Sequence, residues 1–61
     1  MTLDEIMELH ARLYFLDLKQ ARKRSEELLT FCGLVDHRKK TVRKLSGGMK
    51  RKLMLCRALL T

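Results

Sequence analysis

A small hydroxyl residue and two glycines stand directly before a basic, amphipathic segment in Leu45-Ser46-Gly47-Gly48-Met49-Lys50-Arg51-Lys52-Leu53. Ser46 suits an N-cap, because its side-chain oxygen accepts a hydrogen bond from an early helical N–H. Gly47 and Gly48 carry no Cβ, so a ligand or another backbone can come close. The first N–H groups of a helix have no intrahelical partner, and the positive end of the helix dipole adds to them. Together these features make an anion-binding helix start, suited to phosphate or sulfate. Lys50, Arg51 and Lys52 strengthen the positive field around it. A Ser-Gly-Gly by itself is more often a flexible turn, so the chemistry rests on the whole run.

That run continues as Met54-Leu55-Cys56-Arg57-Ala58-Leu59-Leu60. The combined string resembles the signature motif of ATP-binding cassette (ABC) ATPases: Leu-Ser-Gly-Gly-Gln, basic residues, then an apolar helix with an Arg-Ala-Leu ending. Met49 stands where the family usually has Gln, a substitution that some of its subfamilies, including the A-type cassettes, share.

The elements that must hold this motif read as helices. Thr2-Leu3-Asp4-Glu5 has the spacing of a capping box. Leu3, Ile6, Met7, His10, Leu13 and Tyr14 then recur at helical spacing and predict one apolar stripe. Leu9, Phe15 and Leu16 lie beyond it, and His10 reads as a packed boundary residue. A break is expected at Asp17-Leu18, where Asp17 and Gln20 repeat the capping-box spacing. The second helix should run to about Cys32, with Leu18, Ala21, Ser25, Leu28, Leu29 and Cys32 inward. Arg22–Glu26 and Lys23–Glu27 have the spacing of i,i+4 ion pairs on its wet face. Gly33-Leu34 predicts a Schellman ending, with the glycine in the left-handed conformation. Residues 35–45 read as a basic irregular loop anchored by Val35, Val42 and Leu45. The third helix is expected from about Gly48 to Leu60, burying Met49, Leu53, Cys56 and Leu60. The fold class is therefore all-α, a three-helix unit over residues 1–61 with its motif at 45–53.

Composition bounds what that unit can do. Sixty-one residues give at most one small domain, near the size where a single core is marginal. With 46% hydrophobic and 34% charged residues and no proline, the chain suits a helical piece rather than disorder. No apolar run exceeds four residues, as in Leu13 to Leu16, far short of the roughly 20 residues that span a bilayer. Asp4, Glu5 and Glu8 occupy the N-terminus where a secretory signal would be basic. Cys32 and Cys56 read as separate, reduced thiols on apolar helix faces, and no metal site is expected. Charge is lopsided: residues 1–36 carry a net −2 and residues 37–61 a net +9. Such a basic half points to a polyanion or an acidic neighbouring surface.

The ABC resemblance covers essentially the whole chain, since the family's helical subdomain follows the same path into its signature helix. It implies that Ser46, Gly47, Gly48 and Met49 form a cofactor-binding site for ATP. Ser46, Gly47 and Gly48 would touch the γ-phosphate of a nucleotide held by the Walker A loop of a second cassette. Further partners implied are a transmembrane transporter domain or subunit. The location implied is cytoplasmic, at the cytoplasmic face of the membrane. No Gly-x-x-x-x-Gly-Lys-Ser/Thr loop, Asp-Glu strand end, glutamine loop or switch histidine occurs in the sequence. No catalytic residue is therefore assigned, and the Mg²⁺ ligands of a full cassette are not in this chain. The expectation is a piece of an ABC ATPase, inactive alone. Two other classes compete: a small helical nucleic-acid-binding module, and a basic helix lying on an anionic membrane or a partner helix. Against specific nucleic-acid binding, Tyr14, Phe15 and Phe31 all lie outside the basic half, so base stacking has no platform there.

Overall fold

The structure, a computed structural model, describes residues 1–60. Three α-helices pack together: α1 (Leu3–Leu13), α2 (Leu18–Phe31) and α3 (Gly47–Leu60). Two 3-10 turns, Val35–His37 and Val42–Lys44, lie between α2 and α3. Among the described residues there is no β-strand, only an isolated bridge between Thr2 and Thr41. The chain is all-α, as its periodicity predicts. None of these helices is long and apolar enough to cross a membrane.

Helix α1 starts on the expected capping box. The Glu5 N–H donates to Thr2 Oγ1 at 3.1 Å, and the Thr2 N–H donates to Glu5 Oε1 at 2.9 Å. The bond from the Thr2 N–H, and secondarily the Thr2 hydroxyl, favour the charged carboxylate and hold Glu5 below the usual range. Leu3, Met7 and Ala11 form the buried row, with Ile6 packed beside it. The stripe is shorter than its sequence suggests, because α1 ends at Leu13 and leaves Leu13 and Tyr14 exposed.

The exit from α1 depends on a residue the sequence does not flag. Phe15 adopts φ 56°, in the left-handed region, and is 94% exposed. The Phe15 N–H donates to Arg12 O at 3.2 Å and the Leu16 N–H to Ala11 O at 2.9 Å, completing a Schellman ending. Helix α2 ends in the same motif with the expected glycine. Gly33 has φ 74°, its N–H donates to Thr30 O at 3.1 Å, and the Leu34 N–H donates to Leu29 O at 2.8 Å. One backbone conformation is thus made once by glycine and once by phenylalanine. Phe15→Gly should stabilise the chain by about 1 kcal/mol and Gly33→Ala should destabilise it by a similar amount. Urea unfolding of the two variants checks both signs.

Helix α2 is capped by Asp17, whose Oδ1 accepts from the Lys19 and Gln20 N–H groups at 2.9 and 3.4 Å, without the return bond of a capping box. Ala21, Ser25, Leu28 and Leu29 are buried along it, as expected. Its ion pairs differ from the i,i+4 expectation. Arg22 reaches Glu8 of α1 at 3.0 Å, and Arg24 pairs with Glu27 at 3.5 Å. Glu26 pairs with Arg38 at 3.5 Å. A long arginine on an interhelical face finds a carboxylate on the neighbouring helix, which local spacing does not reveal. Exposed pairs of this kind contribute at most about 1 kcal/mol each.

The basic loop is tied down at three points. Val35 and Val42 pack against the core and Leu45 is buried in it, as expected. Arg38 Nε donates to Asp4 Oδ2 at 3.1 Å, the Asp4 N–H donates to Arg38 O at 3.1 Å, and the Val42 N–H donates to Met1 O at 2.9 Å. Leu3, Met7, Leu29, Leu34, Leu53 and Cys56 are the fully buried centre.

The cysteines depart from the expectation of separate thiols. Cys32 caps the C-terminus of α2, Cys56 lies on α3, and the two are disulfide-linked across 24 residues of sequence. Sequence distance hid this contact, which exists only because the end of α2 packs on α3.

His10 is a half-buried boundary residue, as expected, with its ring 4.5 Å from that of Tyr14. Its Nε2 is buried with no hydrogen-bond partner among the described residues. Burial, and secondarily the Arg57 guanidinium on α3, hold its pKa below the ordinary 6.5. Above 6.5 both folded and unfolded chains carry neutral imidazole. As pH falls below that value the unfolded chain takes the proton first, so stability declines until the folded pKa is passed. The melting temperature should fall between about pH 7 and pH 5, and His10→Gln should flatten that interval. The losses from Glu5 and Glu8, whose pKa values are lowered from 4.5, come in a more acid window.

Candidate functional site

The residues singled out by their chemistry converge on the N-terminus of α3. Leu45 is buried and fixes where the chain turns, while Ser46, Gly47 and Gly48 are exposed beyond it. Ser46 caps the helix: its Oγ accepts the Met49 N–H at 3.2 Å, and its carbonyl accepts the Lys50 N–H at 2.9 Å. With Oγ accepting from the helix, the hydroxyl hydrogen is left to point outward as a donor. A Cβ placed on Gly47 or on Gly48 would meet nothing within 4 Å. The early N–H groups of α3 are therefore approachable by an anion, where the helix dipole is positive.

Met49 is placed differently from its three neighbours. Its side chain is half-buried and packs against the core, so what it presents to the site is backbone. The expected four-residue site thus divides into three exposed residues and one anchor. Lys50, Arg51 and Lys52 are exposed around the same helix start. Among the described residues, the basic partners of the ion pairs are Arg12, Arg22, Arg24, Arg38 and Lys39. Among the described residues the cations from Lys40 to Arg57 form no ion pair, so the site is electropositive in charge as well as in dipole. No group of three or more His, Cys, Asp or Glu side chains that could hold a metal ion occurs among the described residues.

Further along, Leu53, Cys56 and Leu60 are buried as expected, and Leu55 and Leu59 remain exposed. The buried row holds the helix, and through it the orientation of its first turn. What the arrangement offers chemically is N–H and O–H donors suited to an oxyanion.

A sequence model for ABC transporters matches residues 1–61. The chain belongs to the ABC transporter family. It is 47% identical over 55 residues to the daunorubicin resistance ATP-binding protein DrrA3 of Streptomyces coeruleorubidus, covering 90% of this chain and 17% of that protein. It is 48% identical over 44 residues to a probable amino-acid ABC transporter ATP-binding protein of Sinorhizobium fredii, covering 72% of this chain and 17% of that one. A Nod factor export ATP-binding protein of Azorhizobium caulinodans is 39% identical over 59 residues, covering 97% of this chain and 18% of the relative. The chain thus spans about one-sixth of the length of these relatives. No solved structure matches it.

Proposed function

We propose that residues 1–61 are the helical subdomain of an ABC ATPase, and that the chain completes a nucleotide site from outside rather than building one. In this reading Ser46, Gly47 and Gly48 contact the γ-phosphate of ATP held by the Walker A loop of a second cassette. Met49 seats the helix and contributes only backbone. The observation that carries the reading is the exposed, Ser46-capped start of α3, whose two glycines leave the backbone donors open. ATP is the ligand, and Mg²⁺ would be held by groups that this sequence does not contain. The partners are a second cassette and a transmembrane transporter domain or subunit, which would keep the chain at the cytoplasmic face of the membrane. The relatives' names, each an ATP-binding protein, agree with this assignment of ligand.

The test starts with the chain alone, which should bind ATP only weakly and with strong salt dependence, and should not hydrolyse it. Added to a cassette that carries a Walker A loop, it should associate more strongly when ATP is present. A metal-dependent ATPase rate of the isolated chain that survives purification and is lost in Ser46→Ala would overturn the reading. Sequence-selective binding to nucleic acid at about 150 mM salt would replace it with the nucleic-acid module.

A further inference from the structure

We infer that Cys32 and Cys56 are a reversible dithiol–disulfide pair, a redox clamp between the end of α2 and the helix that begins at Ser46. The two sulfurs are bonded in the structure, and the Cα atoms stand 7.2 Å apart, just outside the usual range of about 4.4–6.8 Å for disulfides. The buried sulfur also has a partner when the bond is open. Cys56 Sγ lies 3.5 Å from Leu28 O, the carbonyl that receives the Cys32 N–H at 3.0 Å. As a thiol, Cys56 donates to that carbonyl; as a disulfide, it is joined to Cys32. Both states therefore satisfy the same buried atom. Leu28, Leu29 and Leu53 belong with Cys56 to the same buried apolar cluster.

Exposure assigns the two sulfurs different roles. Cys56 is fully buried, whereas Cys32 is half-buried at the helix end beside the exposed Gly33. A small disulfide such as oxidised glutathione is the oxidant class that fits. The Cys32 thiolate attacks one glutathione sulfur, breaks its S–S bond and releases one glutathione thiolate. The Cys56 thiolate then attacks the Cys32 sulfur, closes the Cys32–Cys56 bond and releases the second glutathione thiolate. Two electrons pass from the protein to glutathione, and the two thiol protons end on the two released glutathiones. Reduction runs the same steps backwards, entering at Cys32.

The 61-residue chain is equilibrated in graded mixtures of reduced and oxidised glutathione, quenched with acid, alkylated and weighed by mass spectrometry. This is done in buffer and again in concentrated urea. The fold holds the sulfurs together, so the constant for forming the intramolecular bond should be about tenfold or more larger in buffer than in urea. The single variants test the roles. Cys32, probed in Cys56→Ser, should react with oxidised glutathione about tenfold or more faster than Cys56, probed in Cys32→Ser. An equal or smaller constant in buffer, or only mixed disulfides and crosslinked dimers, would overturn the clamp. So would a Cys56 that reacts as fast as Cys32 in folded variants; if a variant unfolds, the wild-type constants still decide. None of these readings uses nucleotide, so failure of the clamp and failure of the ATP-site reading are told apart.

Discussion

Gly48→Asp is expected to lower the ATP turnover of a full-length cassette carrying this segment about a hundredfold or more, while its nucleotide affinity stays largely intact. If the proposed function holds, the new carboxylate would stand where the γ-phosphate would meet the first turn of α3, adding repulsion and bulk in place of open N–H donors. The loss cannot come from damage to the helix. A Cβ at Gly48 meets nothing within 4 Å, and an acidic residue in a first turn is favoured by the helix dipole. On the proposed function, affinity should survive because the Walker A loop would belong to the other face of a composite site. Ser46→Ala should be milder, removing one hydrogen bond to a charged group, worth about 1.5–3 kcal/mol, together with the helix cap. Met49→Gln should be close to neutral, because the family usually has Gln at that position. Turnover and nucleotide affinity measured side by side in the three variants give the order. Full turnover in Gly48→Asp would remove the signature assignment and return weight to the charge-based readings.

Leu53→Ala should unfold the isolated chain, and Leu55→Ala, two positions along the same helix, should barely change it. Leu53 is fully buried at the centre, so truncation leaves a cavity costing about 2.7–5 kcal/mol. A core in a chain of this size seldom supplies more than about 3–5 kcal/mol in total, so little or nothing would remain. Leu55 is 63% exposed, so its loss in the isolated chain should stay within about 0.5 kcal/mol. Far-UV circular dichroism with urea titration reads both. Equal effects at the two positions would mean that α3 is not seated as described. In a whole cassette the contrast should narrow, because Leu55 and Leu59 then become available for burial by the rest of the protein.

The helices and the motif were legible because their signals are local. Thr2 with Glu5, Asp17, Gly33 and Ser46 each declare a helix end through bonds made within a few residues of sequence. The anchors Val35, Val42 and Leu45 were readable as isolated apolar residues in a charged stretch. What escaped depends on contacts between distant parts or on tolerance of strain. Arg22 prefers Glu8 over Glu26, and Cys32 meets Cys56, because helices pack side by side. The inward place of Ala11, and the outward place of Leu13 and Tyr14, follow from where α1 stops. That stop is set by Phe15, a residue type with no preference for φ 56° and so no signal to read. At the candidate site the exposed trio was legible from residue type. The inward turn of Met49 was implicit in its spacing to Leu53 and Cys56.

The bonds that stitch the loop to the start of α1 have a mechanical consequence. The Val42 N–H grips Met1 O, and the Asp4 N–H grips Arg38 O, so the first residues of the chain and the loop before Ser46 are fastened to each other. A pull along the chain at Met1 loads the bond to Val42 directly. It arrives at Leu45, the buried footing of the Ser46 turn, without crossing the length of α1. The entrance to the first helix and the loop that leads into the third are thus one hydrogen-bonded joint, made by backbone groups and so insensitive to which side chains occupy it.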